Sequence, residues 1–599
     1  MSHKLFLKQS SILITGIALL SFSSVRPEDF DQAETRACAH SCDKWKAKTR
    51  NVGYPQDELP VPITHCQDRQ LAIFADTLIS HGAAAEPTLA VHPFFPNILV
   101  ASWQQDRIDN SGALLAGIAY SFDGGKTWHR TTVPAVQTLT QFCTGGYIDR
   151  VSDVWLSFSR GLSEEEVLYL ISLPFNITEN LNTLDQQGVA ANISPDGGKT
   201  WNGRQMLGTT QDAFNKPGSI LLPFDDKPSV TADPNIPQNA YVVRERFDTV
   251  FSDHAPVLFN RTVDGGLTWS DFTVIYDPQL DTSTLPLVAN STFNNIIVVL
   301  PDCIACPLQG NLLNFMTRTL VDPNTGDSYF DIALIRSTDF GLTWDTEATV
   351  VLPAVKAEPN GEATVFTGGY TYDINGDRTG GVGTLMRTAE SDVFDVNVNR
   401  SNGTIYVTFQ TTQFREDFLP QIGLVVSRDG GVTWTPPVRV NRTPQNSPNP
   451  QAFTPAIAST ESGDVAILFS DFRKSNNAVP TTDPKTKTNT WLDIYKDIYP
   501  LPGNTGVGLD FVQELRLSKH SYIAQNGPVT TSGVMTNGDY SFLVAQGRDF
   551  YAAFTQTHKG PFTPPEVFFV DPVTGFKLFV DDNFRQSPYV SVIKRKNNH

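Results

Sequence analysis

The stretch SFDGGKTWHR (Ser121–Arg130) occurs in five close copies along the chain. Each copy places an aspartate before a glycine and ends in a threonine–tryptophan pair. The other four copies are SPDGGKTWNG from Ser194, TVDGGLTWSD from Thr262, STDFGLTWDT from Ser337 and SRDGGVTWTP from Ser427. An element that returns every 60 to 90 residues or so is typical of a chain built from stacked structural units. This repeat therefore decides the fold class.

Four short apolar stretches accompany each copy. Around the first copy they are EPTLAVHP (86–93), NILVASWQQ (97–105), ALLAGIAYS (113–121) and TWHRTTV (127–133). Pro, Gly, Asn and Asp separate them, which is typical of short strands joined by turns. A four-stranded unit cannot bury both of its faces alone, so the units must stack. The sequence predicts an all-β fold, a β-propeller of four-stranded antiparallel blades with the repeated turn in each blade.

Two further units lack the tryptophan turn, one at 452–499 and one at 538–572. With them the sequence predicts seven blades, and six blades are the alternative if one unit is an insertion. The last unit can be completed by a strand from elsewhere in the chain. We place the propeller at 81–580, after a cysteine-containing extension at 25–80 and before a C-terminal tail at 581–599.

The pattern Ser/Thr-x-Asp-x-Gly-x-Thr-Trp resembles the Asp box, or bacterial neuraminidase repeat. This motif is found in sialidases and in many secreted propellers that are not sialidases. The resemblance covers most of residues 85–575. It implies a propeller of the sialidase-like superfamily and a glycan or glycoconjugate as ligand.

The chemistry of the repeated turn points to a structural role. An aspartate such as Asp123 can accept hydrogen bonds from backbone N–H groups of the turn that it begins. Glycine permits positive φ and close backbone approach, and Trp128 is a large apolar side chain that can be buried between neighbouring sheets. Because strands alternate in direction, these turns mark one face of the fold, and we expect a functional site on the opposite face.

Polar residues collect on that opposite face. After second strands they are Trp103–Arg107, Arg244–Arg246, Arg415–Asp417, Asp471–Arg473 and His558–Lys559. At the starts of first strands they are Glu86, Asp149–Arg150, Asp226–Lys227 and Gly538–Tyr540. These residues can converge on one pocket, or they can be ordinary surface charges and ion pairs between blades.

The sialidase resemblance implies roles for six of these residues. Three arginines would clamp the sugar carboxylate, because guanidinium groups bind carboxylates in a bidentate manner: Arg107, Arg244 and Arg473. Asp106 would be the acid/base, Tyr540 the nucleophile and Glu245 its base, as in the tyrosine-dependent exception among glycosidases. The implied activity is that of a glycoside hydrolase of the exo-α-sialidase type. The alternative is a non-catalytic propeller that binds glycans or proteins, for example in adhesion.

Charge and the N-terminus restrict partners and location. The formal net charge is −18, with 45 basic and 63 acidic residues, which disfavours nucleic acid as a partner because that affinity depends on neutralising phosphates. Residues 1–24 combine Lys4 and Lys8, an apolar run and small residues, the order of a secretory signal peptide. We expect a secreted or periplasmic protein with no membrane span after cleavage, and the sequence does not indicate an oligomeric state.

Six cysteines are present, at positions 38, 42, 66, 143, 303 and 306. In an exported chain an even count favours disulfides. The alternative for Cys38, His40, Cys42 and Cys66 is a zinc site, although a second matched pair of ligands is missing. Asp373–Asp377 carries alternating oxygen ligands, so a structural calcium is one interpretation and a polar turn is the other. No other cofactor is expected.

Overall fold

The computed structural model describes most of the chain after residue 43, and the fold is given for those residues. They are 44–53, 77–109, 111–131, 133, 150–160, 166–177, 184–202, 205–209, 223–247, 254–304, 306–356, 364–366, 369–372, 378–381, 385–387, 394–476, 486–499, 507–523, 526–528, 535–536, 538–559, 566–570, 577–581 and 584–596. All of them except Lys44 belong to one unit, Trp45–His599. They contain strands β1 to β36, numbered in chain order, and one 3-10 turn at Pro278–Leu280.

Most of these strands form seven groups of four antiparallel strands, and within the described residues groups 7, 1 and 2 are hydrogen-bonded to one another in one larger sheet. Group 1 contains β2 (Thr77–Val91), β3 (Leu99–Ile108), β4 (Ala113–Ser121) and β5 (His129–Thr131). Group 2 contains β6 (Arg150–Phe158), β7 (Leu168–Ile177), β8 (Leu184–Ser194) and β9 (Gln205–Thr209). Group 3 contains β10 (Phe224–Ala232), β11 (Ala240–Phe247), β12 (Val257–Thr262) and β13 (Thr273–Tyr276).

The next three groups follow the same order. Group 4 contains β14 (Val288–Val299), β15 (Leu312–Val321), β16 (Ser328–Ser337) and β17 (Thr349–Lys356). Group 5 contains β22 (Phe394–Val398), β23 (Ile405–Thr411), β24 (Gln421–Ser427) and β25 (Val438–Arg439). Group 6 contains β26 (Ala452–Ser459), β27 (Asp464–Asp471), β28 (Lys487–Asp497) and β29 (Leu509–Arg516). The predicted all-β class with four-stranded antiparallel units is confirmed.

Group 7 is built from both ends of the chain. It contains β32 (Phe542–Gln546), β33 (Asp549–Lys559), β36 (Phe584–Arg595) and β1 (Trp45–Asn51). The register pairs Trp45 with Arg595 and Asn51 with Tyr589. The expectation that the last unit takes a strand from elsewhere is confirmed. Strand β1 lies within the range 25–80 expected for an extension, and β36 lies within the range 581–599 expected for a tail.

A correction concerns 566–572, which the sequence analysis assigned to the last unit. Its strand β34 (Glu566–Val570) pairs instead with β35 (Lys577–Asp581), and β35 pairs with the start of β2. Along the chain, the other short strands lie between groups 4 and 5 or between groups 6 and 7. They are β18 (Thr364–Phe366), β19 (Gly369–Tyr372), β20 (Arg378–Gly381), β21 (Leu385–Arg387), β30 (Tyr522–Ile523) and β31 (Met535–Thr536).

Apolar side chains fill the spaces between consecutive groups. Each of the buried clusters takes its residues mainly from two neighbouring groups. One further cluster joins group 7 to group 1 through Leu99, Trp103, Tyr551 and Val592. The first strands also touch in series: β2 with β6, then β10, β14, β22, β26 and β32, and β32 touches β2. Burial of each large apolar side chain contributes about 1.5–3 kcal/mol, so these apolar clusters contribute substantially to the stability of the fold.

The repeated turn joins the third and fourth strands of groups 1 to 5. In the first copy Asp123 Oδ1 accepts from the backbone N–H of Thr127 at 2.9 Å, and Asp123 Oδ2 accepts from the Thr127 hydroxyl at 2.7 Å. The Ser121 hydroxyl accepts from the backbone N–H of Gly125 at 2.9 Å. The same bonds recur in the other four copies. The structural role predicted for the turn is therefore confirmed.

Each turn also packs against the preceding group. A Cβ added to Gly341 would lie 2.4 Å from the Phe259 ring of group 3, and the φ of Gly341 is +84°. Trp344 meets the same ring edge to face at 5.5 Å between centroids. Glycine is required here by both the backbone conformation and the close approach. The turn of one group thus fixes the distance to the group before it.

In the described part of the chain no helix has the length and apolar character needed to span a membrane.

Replacing Trp45 with alanine should lower the free energy of unfolding by about 3–5 kcal/mol, the usual cost of truncating a buried tryptophan. Trp45 is fully buried in the cluster between groups 6 and 7 and lies 6.5 Å from the Phe550 ring. Denaturant unfolding measures the change. Lys48→Ala on the exposed side of β1 is the matched control and should change stability by less than about 0.5 kcal/mol. Equal stability of both variants would show that β1 is not part of the folded sheet.

Replacing Asp339 with asparagine should destabilise the protein at pH 7 and have little effect near pH 2. The hydroxyl of Thr343 and then its backbone N–H lower the pKa of Asp339 to about 2. The carboxylate's contribution is therefore present above the unfolded pKa of about 4 and is lost as the pH falls through the folded value. Denaturation midpoints between pH 2 and pH 7 measure it, with Asp271→Asn as the control on an exposed carboxylate. A loss of the same size at both pH values would contradict the prediction.

Candidate functional site

The first strands of five groups share one irregularity. Each has a break in pairing register at a residue with positive φ, as expected for a β-bulge. These residues, with their φ angles, are Glu86 (53°), Asp153 (44°), Lys227 (40°), Asn294 (52°) and Thr454 (52°). A bulge bends the strand and redirects its side chain. The bulges therefore present a set of polar side chains at the same level of neighbouring strands.

Glu86 is at the centre of this set. Its Oε1 accepts from the backbone N–H of Asp539 at 3.1 Å, and its Oε2 accepts from the side chain of Gln104. Arg107 donates to Gln104 Oε1 at 2.6 Å and to the carbonyl of Gly112 at 3.0 Å. Group 7 and group 1 are thus connected through a buried carboxyl group.

Gly538 makes this connection possible. Its φ is +97°, and a Cβ at this position would lie 2.8 Å from the Glu86 nitrogen and 2.9 Å from Glu86 Cγ. A side chain at 538 would push the backbone of Asp539 away from Glu86. Glycine at position 538 is therefore required by the packing between the first strands.

Lys227 is the cation in this set of bulge residues. Its Nζ lies 2.8 Å from Asp539 Oδ2, and both side chains are largely buried. Burial alone would lower the pKa of Lys227, but Asp539, Asp153, Asp226 and Glu86 together raise it well above its ordinary value. The ammonium group therefore stays charged and offsets part of the surrounding negative charge.

Three buried carboxyl groups, those of Glu86, Asp153 and Asp395, have raised pKa values. Burial, followed by Asp539 and Asp153, raises the pKa of Glu86 to about 7. Burial, followed by Asp226, raises the pKa of Asp153 to about 6. Burial also raises the pKa of Asp395 to about 7, against the effect of backbone N–H bonds from Ile457 and Val396. Carboxyl groups of this kind hold protons near neutral pH, as general acids must.

A cleft opens among the first strands of groups 2 to 7. Its enclosed part has a volume of about 20 Å³, and the rest is open to solvent. Aromatic and apolar side chains alternate with polar ones along its wall. The lining residues are Trp155, Lys227, Asn294, Ile296, Phe394, Asp395, Pro455, Asp539, Tyr540, Ser541 and Phe542. A concave, mostly apolar site with a few polar groups is the usual form of a ligand site.

Two of the six residues proposed from the sialidase resemblance, Tyr540 and Arg107, interact electrostatically. The Tyr540 hydroxyl lies 3.4 Å from the carbonyl of Val154, and its ring is 5.7 Å from that of Trp155. Burial and then Glu86 raise the pKa of Tyr540 well above its ordinary value, and Arg107 opposes that effect. Asp106, next to Arg107, is buried with a φ of 62° and accepts from the backbone N–H of Gly82 at 2.7 Å. Their catalytic roles stay predictions.

Arg244 and Glu245 are buried within group 3. Arg244 donates to Asn260 Oδ1 at 2.6 Å and to the Leu207 carbonyl at 2.8 Å, and its Nε lies 3.3 Å from Asp225. Glu245 accepts from Asn295 at 2.9 Å. Burial and then Asp226 raise its pKa well above the ordinary value. Neither residue lines the cleft.

Arg473 is bound within group 6. It forms ion pairs with Asp471 and with Glu514, the second at 2.7 Å, and its guanidinium lies 4.1 Å from the centre of the Trp491 ring. The three arginines proposed as a carboxylate clamp therefore have separate partners: Arg107 contacts group 1 residues, Arg244 contacts Asp225 and Arg473 contacts group 6 residues.

The sequence analysis missed Asp153 and Asp395, and it gave Glu86 and Lys227 no role. A signal existed for part of this set, because Glu86-Pro87, Lys227-Pro228 and Thr454-Pro455 repeat a polar residue before proline at the bulge of a first strand. Proline lacks an N–H, so it suits a bulge where ladder pairing is broken. Asp153 and Asp395 have no such marker.

The predicted metal sites lie outside the described residues. This holds for the four proposed zinc ligands Cys38, His40, Cys42 and Cys66 and for Asp373–Asp377, as well as for Cys143 and the predicted signal peptide. Among the residues that the structure describes, no cluster of three or more His, Cys, Asp or Glu has a metal-binding arrangement. Cys303 and Cys306 form a disulfide.

Comparison with known families identifies the repeated turn. Residues 119–130 match the family model described as BNR/Asp-box repeat. The turn is an Asp box. The resemblance inferred from the sequence is confirmed for this element, whereas the match spans one of the five copies and leaves the activity of the whole chain open. No curated protein matches the sequence.

Among solved structures the chain is similar to several carbohydrate-active proteins. A Hadza microbial sialidase, Hz136, is 14% identical with a TM-score of 0.38, and the match covers 76% of this chain and 73% of that one. Trypanosoma rangeli sialidase in complex with sialic acid is 11% identical with a TM-score of 0.36, covering 84% and 59%. An ulvan lyase of polysaccharide lyase family PL25 is 10% identical with a TM-score of 0.39, covering 81% and 93%.

Replacing Asp395 with asparagine should flatten the pH dependence of stability between about pH 4 and pH 7. The raised pKa means that the folded state binds a proton that the unfolded state releases, so stability falls as pH rises through this window. We expect wild type to lose about 2–4 kcal/mol there through this group, at about 1.4 kcal/mol per pKa unit. Denaturant unfolding at pH 4.5, 6 and 7.5 measures it. Asp510→Asn, on the exposed side of β29, should keep the wild-type slope, and an unchanged slope in Asp395→Asn would contradict the prediction.

Proposed function

We propose that the seven groups are the blades of a β-propeller of the sialidase-like type. Support comes from the first strands, which touch in series from β2 to β32 and back to β2. The apolar clusters between neighbouring groups follow the same order and include one between groups 7 and 1. In this arrangement β1 closes the last blade, and the cleft lies where the first strands meet.

We propose further that the protein is exported and binds glycans in the cleft. The observation that carries this proposal is the composition of the cleft wall. Trp155 and Tyr540 offer aromatic faces for the apolar side of a sugar ring, and Asp395, Asp539 and Asn294 offer hydrogen-bonding groups for its hydroxyls. Sugars require both surfaces at once. Export through the predicted signal peptide would place the protein where extracellular or periplasmic glycans occur.

The charge of the cleft favours a neutral sugar or one with a free amine. Lys227, Asp395 and Asp539 are the ionisable lining groups besides Tyr540, and Lys227 is neutralised by Asp539. Buried Glu86 and Asp153 add further acidic groups nearby. A sugar carboxylate placed here would meet no arginine among the described lining residues. We therefore place the exo-α-sialidase activity second to binding of uncharged glycans.

Glycoside hydrolysis is the second candidate, and one observation favours it. Burial raises the pKa of Glu86 to about 7, so this carboxyl group holds its proton below neutral pH, which suits a general acid. Tyr540 lies in the same neighbourhood, because burial and then Glu86 raise its pKa and Arg107 opposes that effect. In this version Glu86 is the general acid and Tyr540 is the nucleophile.

A glycan array with the full-length protein tests binding. We expect signals for neutral or amino-bearing glycans, and we expect Trp155→Ala to weaken the best of them about tenfold or more through loss of the aromatic face. Phe340→Ala, an exposed aromatic residue in an Asp box, is the matched control and should bind as wild type. If no glycan binds, or if both variants bind like wild type, the proposed cleft function is wrong.

Fluorogenic glycosides, including a sialoside, separate the two candidates. Cleavage that is lost in Tyr540→Phe and in Glu86→Gln, with binding retained, would establish hydrolysis and the roles of these residues. Binding without cleavage of any substrate would leave the protein a glycan-binding propeller. Cleavage of the sialoside that depends on Arg244 and Arg473 would overturn the charge argument and restore the arginine clamp.

A further inference from the structure

The loop between β14 and β15 contains a Cys-x-x-Cys disulfide, Cys303–Cys306. A bridge over three peptide bonds restricts the unfolded chain little, because the constraint grows with the logarithm of loop length. The disulfide is thus a weak candidate for a purely stabilising device.

The loop is held in place by other contacts. The backbone N–H of Cys306 donates to the Cys303 carbonyl at 2.8 Å, and the N–H of Leu300 donates to the Asn311 carbonyl at 2.9 Å. Pro307 packs on Gly403 of group 5, and Leu308 packs on Gly430 of its Asp box. These contacts do not involve the sulfur–sulfur bond, so the loop keeps its anchor when the bond is open.

The two sulfurs have different surroundings. Cys303 is partly exposed and is followed by Ile304, whose side chain is fully exposed, whereas Cys306 is 7% exposed. One sulfur can therefore be reached by an incoming thiolate while the other is shielded. Exchange-active disulfides have this asymmetry, because attack requires access to one sulfur and the second acts as the leaving group.

We propose that Cys303–Cys306 is a thiol–disulfide exchange site whose substrate class is a dithiol. A thiolate of the dithiol attacks Cys303 Sγ, a mixed disulfide forms, and the electron pair of the broken bond leaves with Cys306 Sγ, which takes up a proton. The second thiol of the substrate then attacks its partner sulfur and releases Cys303 as a thiol. Two electrons and two protons pass from the dithiol to the protein. The proposal is independent of the glycan function.

Charge selects among thiols at this site. Asp302 is exposed next to Cys303, and the chain as a whole carries a net charge of −18. Anionic thiols such as glutathione are repelled, whereas a neutral dithiol is not. Dithiothreitol is therefore the suitable probe.

The test uses the oxidised full-length protein in native buffer. Samples are treated with dithiothreitol, quenched with N-ethylmaleimide and mapped by mass spectrometry at the peptide containing Cys303 and Cys306, while near-UV circular dichroism reports the fold. We expect both cysteines to become labelled with the dichroism signal unchanged. Labelling that occurs only after the signal is lost in denaturant would overturn the proposal, as would pairing of either cysteine with a third one.

Two single variants sharpen the test. In Cys306→Ser the thiol of Cys303 should react with N-ethylmaleimide at least about tenfold faster than the thiol of Cys306 does in Cys303→Ser, because accessibility governs the rate. Reduction by glutathione at the same thiol concentration should be slower than by dithiothreitol. Equal labelling rates in the two variants would contradict the assignment of Cys303 as the attacked sulfur. The mapping on wild type decides the proposal even if one variant does not fold.

Discussion

The packing of each Asp box against the preceding strand group is the contact on which the rest of the structure depends. A four-stranded antiparallel group has two apolar faces and cannot be stable alone. The box brings a glycine backbone and a tryptophan ring against the neighbouring group, as Gly341 and Trp344 do against Phe259. The carboxylate of the box accepts its hydrogen bonds from residues of its own turn. The turn is consequently rigid, and a rigid turn can set the spacing between sheets.

The first strands differ from the Asp boxes because they contain buried carboxyl groups. Burying a carboxyl group costs free energy unless the group is paired or protonated. The bulges at Glu86, Asp153 and Lys227 place these groups where a regular strand would direct them elsewhere. Local strain and buried charge of this kind are usual at functional sites and are compensated by the surrounding packing. The positive φ angles at the bulges of five first strands are a physical reason to look for function at the cleft.

The sequence predicted the strands and the boxes well because their signals are local. Alternating apolar stretches ended by Gly, Pro or Asn mark β2 to β4, and Ser121 to Trp128 specify a turn through contacts within eight residues. No local sequence pattern at either strand predicts the pairing of Trp45 with Arg595. Strand β34 was misassigned for the same reason, since partner choice is a non-local property.

The candidate site was predictable only as a zone. Strand direction correctly indicated that Glu86, Lys227, Asp539 and Tyr540 belong to one neighbourhood, and the contacts of Glu86 and Lys227 with Asp539 bear this out. Which arginine faces which carboxylate depends on side-chain packing that no spacing encodes. Arg473 shows this, because one of its partners, Glu514, lies on a different strand.

The construction of group 7 from both ends of the chain has a consequence for biosynthesis. The side chains of Thr49 and Ser591 lie 2.6 Å apart although 542 positions separate them. A contact over so long a loop carries a large closure entropy and forms late. During synthesis from the N-terminus, β1 must wait as an unpaired segment until β36 has left the ribosome. Translation of β36 is therefore a precondition for the last sheet, and a chain truncated before β36 leaves β1 without its partner strand.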